Sequence, residues 1–378
     1  MFSDLPQTPD PMIRSIAYRD IEAVERLFAD HSCHVATGTG DRPLGNLHQW
    51  YAPLQLLNIL PGPSPLRVYV AEKADRLLGA IQVAPFNDSR STWQVEQLGV
   101  MGEEGEVGTQ LLRHCFSHIL EARTWVLEVN IQNRFALSLY RQNGFQPLAQ
   151  LTYWALSAAQ LATLAEHEPK LPNLLSVTNA DAALLCQLDT AAMPALVRQV
   201  FDRHNRDFKT GFFDWFRQGL QQWGSQTHLL RAYVFEPQRK AAIGYYALRY
   251  CQDGSHPHWA ELTVHPAYTW LYPELLAQLA GLVRSLPANG LHLASTDYQP
   301  EREAYLEEIG AERMGHSLMM SRSVWHKVRE VRSPLPEGLT LSEVLQGFQP
   351  SHRPQPGRIG HPPPHRFDSH HQQSQKPE

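Results

Sequence analysis

Three pairs of segments recur along the chain at almost the same spacing, and that periodicity limits the fold more than any single motif. "LRVYVAEKADRLLGA" from Leu66 and "LRAYVFEPQRKAAIGY" from Leu230 each read as strand, polar turn and a second strand opening near a glycine, Gly79 or Gly244. Their offset is 164 residues, and "LGV" at Leu98–Val100 keeps it with "LTV" at Leu262–Val264. "LYRQNGF" around Gly144 pairs with "YLEEIGA" around Gly310 at an offset of 166. Spacing held across strands, turns and helices implies two copies of one mixed α/β unit. In "AEHEPKLPN", Ala165–Asn173, two prolines break a helical pattern, which sets expected units of 12–165 and 173–330. A chain of 378 residues is long enough for two cores. Beyond Glu330 the chain is rich in Pro, His and Gln and poor in large apolar residues, so 331–378 is expected to be a disordered tail.

Charge and cysteine usage narrow the function classes. Lys and Arg number 33 against 38 Asp and Glu, a formal charge of -5, so no broad basic field draws nucleic acid or anionic lipid and neither partner is expected. Cys33, Cys115, Cys186 and Cys251 are far apart and form no C-x-x-C pair, which argues against a disulfide framework or zinc ribbon and for a reducing, cytoplasmic setting. The N-terminus carries acids and prolines in place of an apolar signal segment, and no run of about 18 apolar residues is present.

The first copy reads as a strand at Ile13–Ala17, a helix at Asp20–Ala29, then strands at Arg67–Glu72, Leu77–Ala84 and Val95–Val100. A helix follows from about Val107 to Ala122, with Val107, Leu111, Cys115 and Ile119 on one face, so Cys115 reads as a buried small apolar residue. A strand at Trp125–Val129, a helix at Asn133–Asn143 and a strand after Phe145 complete the unit. In the last helix Asn133, Ala136, Leu137 and Tyr140 share one face, and Gly144 sits where a helix commonly ends in a left-handed residue.

The run from Asn133 to Phe145 resembles the N-x-x-A-x-x-L-Y-x-x-x-G-F signature of the GNAT superfamily of acyl-CoA-dependent N-acetyltransferases. The resemblance implies a fold of two tandem GNAT-like domains plus the tail, and a splayed sheet whose strands end at Leu98–Val100 and Trp125–Val129 and part to admit the pantetheine arm of acetyl-CoA. It implies Tyr140 as the acid for the leaving thiolate, Asn133 as a contact to the cofactor arm, and Glu96 as the base, with Glu128 the alternative. A phenol of pKa about 10 donates to a thiolate of pKa about 8.5 only with help from geometry or neighbours. The same likeness places Leu98, Val100, Gly105, Val107, Gly108 and Thr109 along the cofactor, and no metal is expected.

The family's pyrophosphate loop reads R/Q-x-x-G-x-G/A, yet "GEEGEVGTQLL" puts Glu103 at the basic position and Glu106 at the first glycine, keeping only Gly108. A carboxylate about 4 Å from a phosphate charge costs about 4 kcal/mol at an effective dielectric of 20, whereas a helix N-terminus favours an anion by about 0.3–1 kcal/mol. Acids turned outward would leave the amides after Gly105 available. The second copy departs further: its loop has no glycine, Leu306 stands for Tyr140 and Gln299 for Asn133. Two function classes follow. One is an N-acetyltransferase acting on a small-molecule or protein amine through the first copy, an arrangement similar to tandem GNAT enzymes with one working and one silent half. The other is a silent tandem GNAT serving as a binding or scaffold protein, with a protein partner at the tail.

Weaker signals have plainer readings. The glycines of "VATGTGDRPLG", Val35–Gly45, suit a lid over the acceptor with Trp50 and Tyr51 better than a nucleotide loop. "HSCH" has no second ligand pair at metal spacing. The aromatic Phe208–Trp223 segment reads as a buried amphipathic helix, and Leu341, Val344, Leu345 and Phe348 suggest a short docking helix in the tail.

Overall fold

The computed structural model describes residues 11–31, 66–102, 105–209, 227–287 and 289–324. The expected lid at Val35–Gly45, Glu103 and Glu104, nearly all of the Phe208–Trp223 helix and the 331–378 tail lie outside the described residues.

The first half runs β1 (Met12–Ser15), α1 (Ile21–His31), β2 (Arg67–Lys73), β3 (Arg76–Pro85), β4 (Thr92–Val100), α2 (Gly105–His118), β5 (Thr124–Asn130), α3 (Arg134–Gln142) and β6 (Gln146–Leu156). After α4 (Ala158–Leu164) the second half repeats the pattern: β7 (Leu174–Ser176), α5 (Ala182–Ala192), α6 (Ala195–Phe201), β8 (Thr227–Glu236), β9 (Ala241–Cys251), β10 (His258–Val264), α7 (Leu271–Val283), β11 (Leu291–Thr296), α8 (Pro300–Glu308) and β12 (Glu312–Ser323). β4 starts three residues earlier than the sequence suggests, and α2 stops at His118 instead of Ala122.

The repeat is visible in matching contacts. Gly79 pairs across β3–β4 with Val100, and Gly244 pairs across β9–β10 with Val264. A Cβ on Gly79 would stand 2.9 Å from Val107 Cγ1 and 3.1 Å from Leu111 Cδ1; one on Gly244 would stand 3.0 Å from Leu271 Cδ1 and 3.5 Å from Leu275 Cδ1. At each position glycine lets the following helix lie close on the sheet.

The described strands form one sheet in the order β1-β2-β3-β4-β5-β12-β6-β11-β10-β9-β8-β7. The last strand of each half has crossed over: β12 pairs with β5 of the first half, and β6 pairs with β11 of the second. The exchanged strands also pair antiparallel with each other, with Leu151 opposite Ser317. Those two residues are repeat equivalents at the 166 offset, so a pseudo-twofold axis runs through this pair and the halves share one continuous hydrogen-bonded sheet. Trp93, Leu98, Leu111, Trp125, Leu127 and Tyr140 pack α2 and α3 onto one face of the first half. Leu248, Leu262, Leu275, Leu293 and Leu306 do so in the second. Val107, Leu111, Cys115 and Ile119 are all buried, as the helical spacing requires, and burial pushes the Cys115 thiol pKa up, keeping it an unreactive packing group. Among the described residues no helix is long and apolar enough to cross a membrane.

Candidate functional site

β4 and β5 run parallel and pair only at Thr92–Thr124, Trp93–Trp125 and Gln94–Val126. Beyond that point the ladder stops while both strands continue, to Val100 and Asn130, so a wedge opens between them. Backbone amide and carbonyl groups along its two edges need partners that the sheet does not supply.

A bulge re-aims β4 at the mouth of the wedge. Gln82 faces Gln97 but Val83 faces Val95, which leaves Glu96 as the extra residue. The bulge switches the strand's parity, so that Trp93 and Val95 before it and Leu98 and Val100 after it all join the core beneath α2 and α3. Glu96 is partly buried, and its Oε2 accepts a hydrogen bond from Gln82 Nε2 at 2.7 Å. On β5, alternation sends Leu127 and Val129 into that core and leaves Glu128 facing the opposite side. The Tyr153 hydroxyl of β6 donates to Glu128 Oε1. Burial raises the pKa of Glu128, the Tyr153 hydrogen bond opposing it, and burial with the nearby carboxylate raises that of Tyr153.

Two helix ends border the wedge. Asn133 caps α3, its Oδ1 accepting from Ala136 N at 3.0 Å. Tyr140 is wholly buried and meets Phe145 edge-on at 5.7 Å. At the start of α2, a Cβ on Gly108 would come within 2.8 Å of Leu139 Cδ2, so this glycine sets how closely α3 approaches α2. Gly105 has no such constraint, its nearest neighbour lying at 3.8 Å. Thr109 Oγ1 accepts from Asn143 Nδ2 at 2.9 Å and ties the two helices together. Glu106 is exposed on the first turn of α2, where an acid complements the helix dipole. Thus Leu98, Val100, Val107 and Tyr140 belong to the core beneath α2 and α3, Gly105, Gly108, Thr109 and Asn133 sit in the first turns or at the cap of those helices, and Glu96 and Glu128 lie toward the other face. Among the described residues no three His, Cys, Asp or Glu side chains converge as a metal ion would require.

Residues 28–145 match the family model of the acetyltransferase (GNAT) family. Over those residues the chain matches the GNAT family. A tandem GNAT protein from the clavulanic acid biosynthesis pathway, solved without AcCoA, is 17% identical with a TM-score of 0.53, covering 84% of this chain and 100% of its own. A GCN5-related N-acetyltransferase from Sphaerobacter thermophilus is 15% identical with a TM-score of 0.48, covering 86% of this chain and 98% of its own. At such identity the likeness to the first is one of fold. No curated protein sequence matches the chain.

The second half has the same wedge in a different state. β10 and β11 pair at His258–Leu291, Trp259–His292 and Ala260–Leu293, then separate. Into the gap goes Arg302 of α8, 5% exposed, its Nη2 donating to Leu262 O at 2.6 Å and its Nη1 to Ala294 O at 3.0 Å. The guanidinium lies 5.5 Å from the Tyr272 ring centroid. Arg302 occupies the repeat position of Ala136, and Tyr272 that of Gly108. Small residues in one wedge are thus replaced by two large ones in the other, and the open carbonyls are satisfied from within. β10 also lacks the bulge, so Glu96 has no counterpart; Glu128 corresponds to Ala294 and Tyr140 to Leu306. Sequence reading found Leu306 and Gln299 but missed Arg302, although aligning α8 on α3 at 166 residues places it opposite the motif alanine.

Proposed function

We propose that the first half transfers an acetyl group from acetyl-CoA to a primary amine, with the second half as scaffold. The observation that carries this reading is the contrast between the wedges: the first keeps glycine and alanine where the second is filled by Tyr272 and Arg302. The edges beyond Gln94 and Val126 suit a ligand bearing amides, and Arg302 meets the equivalent carbonyls with N–H donors. Bound acetyl-CoA would supply the activated thioester. Glu96, steadied by Gln82, takes a proton from the acceptor ammonium so that the neutral nitrogen can attack the carbonyl carbon. As the carbon–sulfur bond breaks, Tyr140 would give its proton to the departing sulfur, and the second proton that the nitrogen sheds on becoming an amide would restore the phenol. The phenol lies in a water-excluded core, which limits competing protonation by solvent. With Glu106 exposed, the α2 amides after Gly105 can face the pyrophosphate.

Release of free thiol from acetyl-CoA in the presence of a panel of primary amines tests the reading. Glu96→Gln and Tyr140→Phe should each lower kcat by roughly 10²–10⁴-fold with folding intact. No turnover with any amine, together with no binding of millimolar acetyl-CoA, would leave the chain a scaffold protein.

A further inference from the structure

Glu128 is a partly buried carboxylate without a cation beside it, met by neutral hydroxyls among apolar side chains. The neutral Tyr153 hydroxyl donates to it and the Ser317 hydroxyl also acts on it, and among the described residues no Lys, Arg or His pairs with it. Holding a charge away from water without a counter-ion is costly, and proteins relieve that cost by pairing it. Next to it is a cavity of about 30 Å³, bounded by Phe86, Gln94, Val126, Glu128, Phe201 and Met319. That volume holds a group the size of one water molecule. An ammonium head has this size; a planar guanidinium is larger.

The walls come from both halves. Phe201 ends α6 and Met319 belongs to the exchanged strand β12, opposite Glu128. Phe201 is fixed in place by polar contacts across the halves: Asn87 Nδ2 donates to Phe201 O at 3.1 Å and Asp202 O at 3.0 Å, and Thr92 Oγ1 donates to Val200 O at 2.7 Å. The Phe86 and Phe201 rings lie 4.7 Å apart, and Arg203 sits 5.1 and 5.3 Å from their centroids. Arg203 is held there by Asp189, its Nη1 donating to Asp189 Oδ1 at 3.2 Å, and its charge is thereby matched. Glu128 is two residues past Val126, the last residue of β5 to pair with β4, so the cavity adjoins the mouth of the wedge.

We infer that this cavity binds the ammonium head of an amine whose body is apolar or aromatic, with Glu128 as its counter-ion and Phe201 and Met319 of the second half as part of its wall. The inference deepens the proposed transferase reading by naming the acceptor class, and it gives the silent half a part in choosing the acceptor. Glu128 here is a recognition residue, while proton removal stays with Glu96.

Direct binding to the full chain tests it without turnover. Benzylamine at pH 7 should bind, measured by calorimetry or by ligand-observed NMR, and benzyl alcohol should bind at least tenfold more weakly. Glu128→Gln should weaken benzylamine at least tenfold, and Phe201→Ala severalfold, with unchanged circular dichroism. Tyr153→Phe, which leaves the carboxylate in place, should retain binding within a few fold. Equal binding of amine and alcohol, no benzylamine binding, or indifference to Glu128→Gln would overturn the site. Acetyl-CoA binding without amine binding sinks this inference alone; amine binding without acetyl-CoA binding sinks the transferase reading and leaves the site standing.

Discussion

The two wedges began as equivalents and now solve one backbone problem in opposite ways. Each arises where parallel strands stop pairing after three residue pairs. In the second half the exposed carbonyls of Leu262 and Ala294 are bonded by Arg302, which Tyr272 supports from below. In the first half Ala136 and Gly108 are too small to do this, and Glu96, Glu128 and Tyr140, to which the proposals above give roles, have no equivalent side chains in the second half. Two positions separate the open wedge from the filled one: Ala136 against Arg302, and Gly108 against Tyr272.

Removing the plug should have the largest effect. Arg302→Ala strands two buried carbonyls, each costing about 1–3 kcal/mol, so chemical denaturation should show a loss of several kcal/mol. Guanidinium-sized rescue is a sharper form of the same test: millimolar methylguanidine should recover part of the lost melting temperature in Arg302→Ala and do nothing for the wild type. Crowding the first wedge comes next. Gly108→Val drives a side chain into Leu139 and should cost about 1–3 kcal/mol. In the second half Gly281 of α7, with nothing within 4 Å of its Cβ position, offers the reverse: Gly281→Ala should stabilise by about 0.4–1 kcal/mol in the same assay.

A pH series separates the halves at Glu128. Its pKa is raised by burial, so the native state holds the proton more tightly than the unfolded chain, whose value is about 4.3. Stability from this group is therefore greatest at low pH and falls as pH rises from the unfolded value through the raised native one. Glu128→Gln should flatten that part of the profile in urea midpoints taken from pH 4 to 8, and Ala294, its counterpart, contributes none of it.

The repeat and most elements were legible because they rest on local pattern. Apolar spacing in α2, the Asn133 cap and the glycine after α3 each leave a mark within a few residues. Gly144 has φ 81° and Gly310 φ 72°, the left-handed value that the paired "NGF" and "IGA" segments imply. The strand exchange was not legible, since β6 and β12 have the same alternation whichever β5 or β11 they join, and only long-range pairing distinguishes the two. The bulge escaped for a related reason: Trp93, Val95, Leu98 and Val100 read as one imperfect alternation until β3 supplies the register. Glu128 could be listed as an acid on a strand, but its isolation from cations depends on Tyr153, Phe201 and Met319, which are 25 to nearly 200 residues away in the chain.

Isothermal titration with acetyl-CoA of the wild type, Ala136→Arg and Arg302→Ala tests the asymmetry most directly. The account predicts one site per wild-type chain, loss of binding in Ala136→Arg with the far-ultraviolet spectrum unchanged, and one site of unchanged affinity in Arg302→Ala. Two sites in the wild type, no site at all, or binding that survives Ala136→Arg would contradict it.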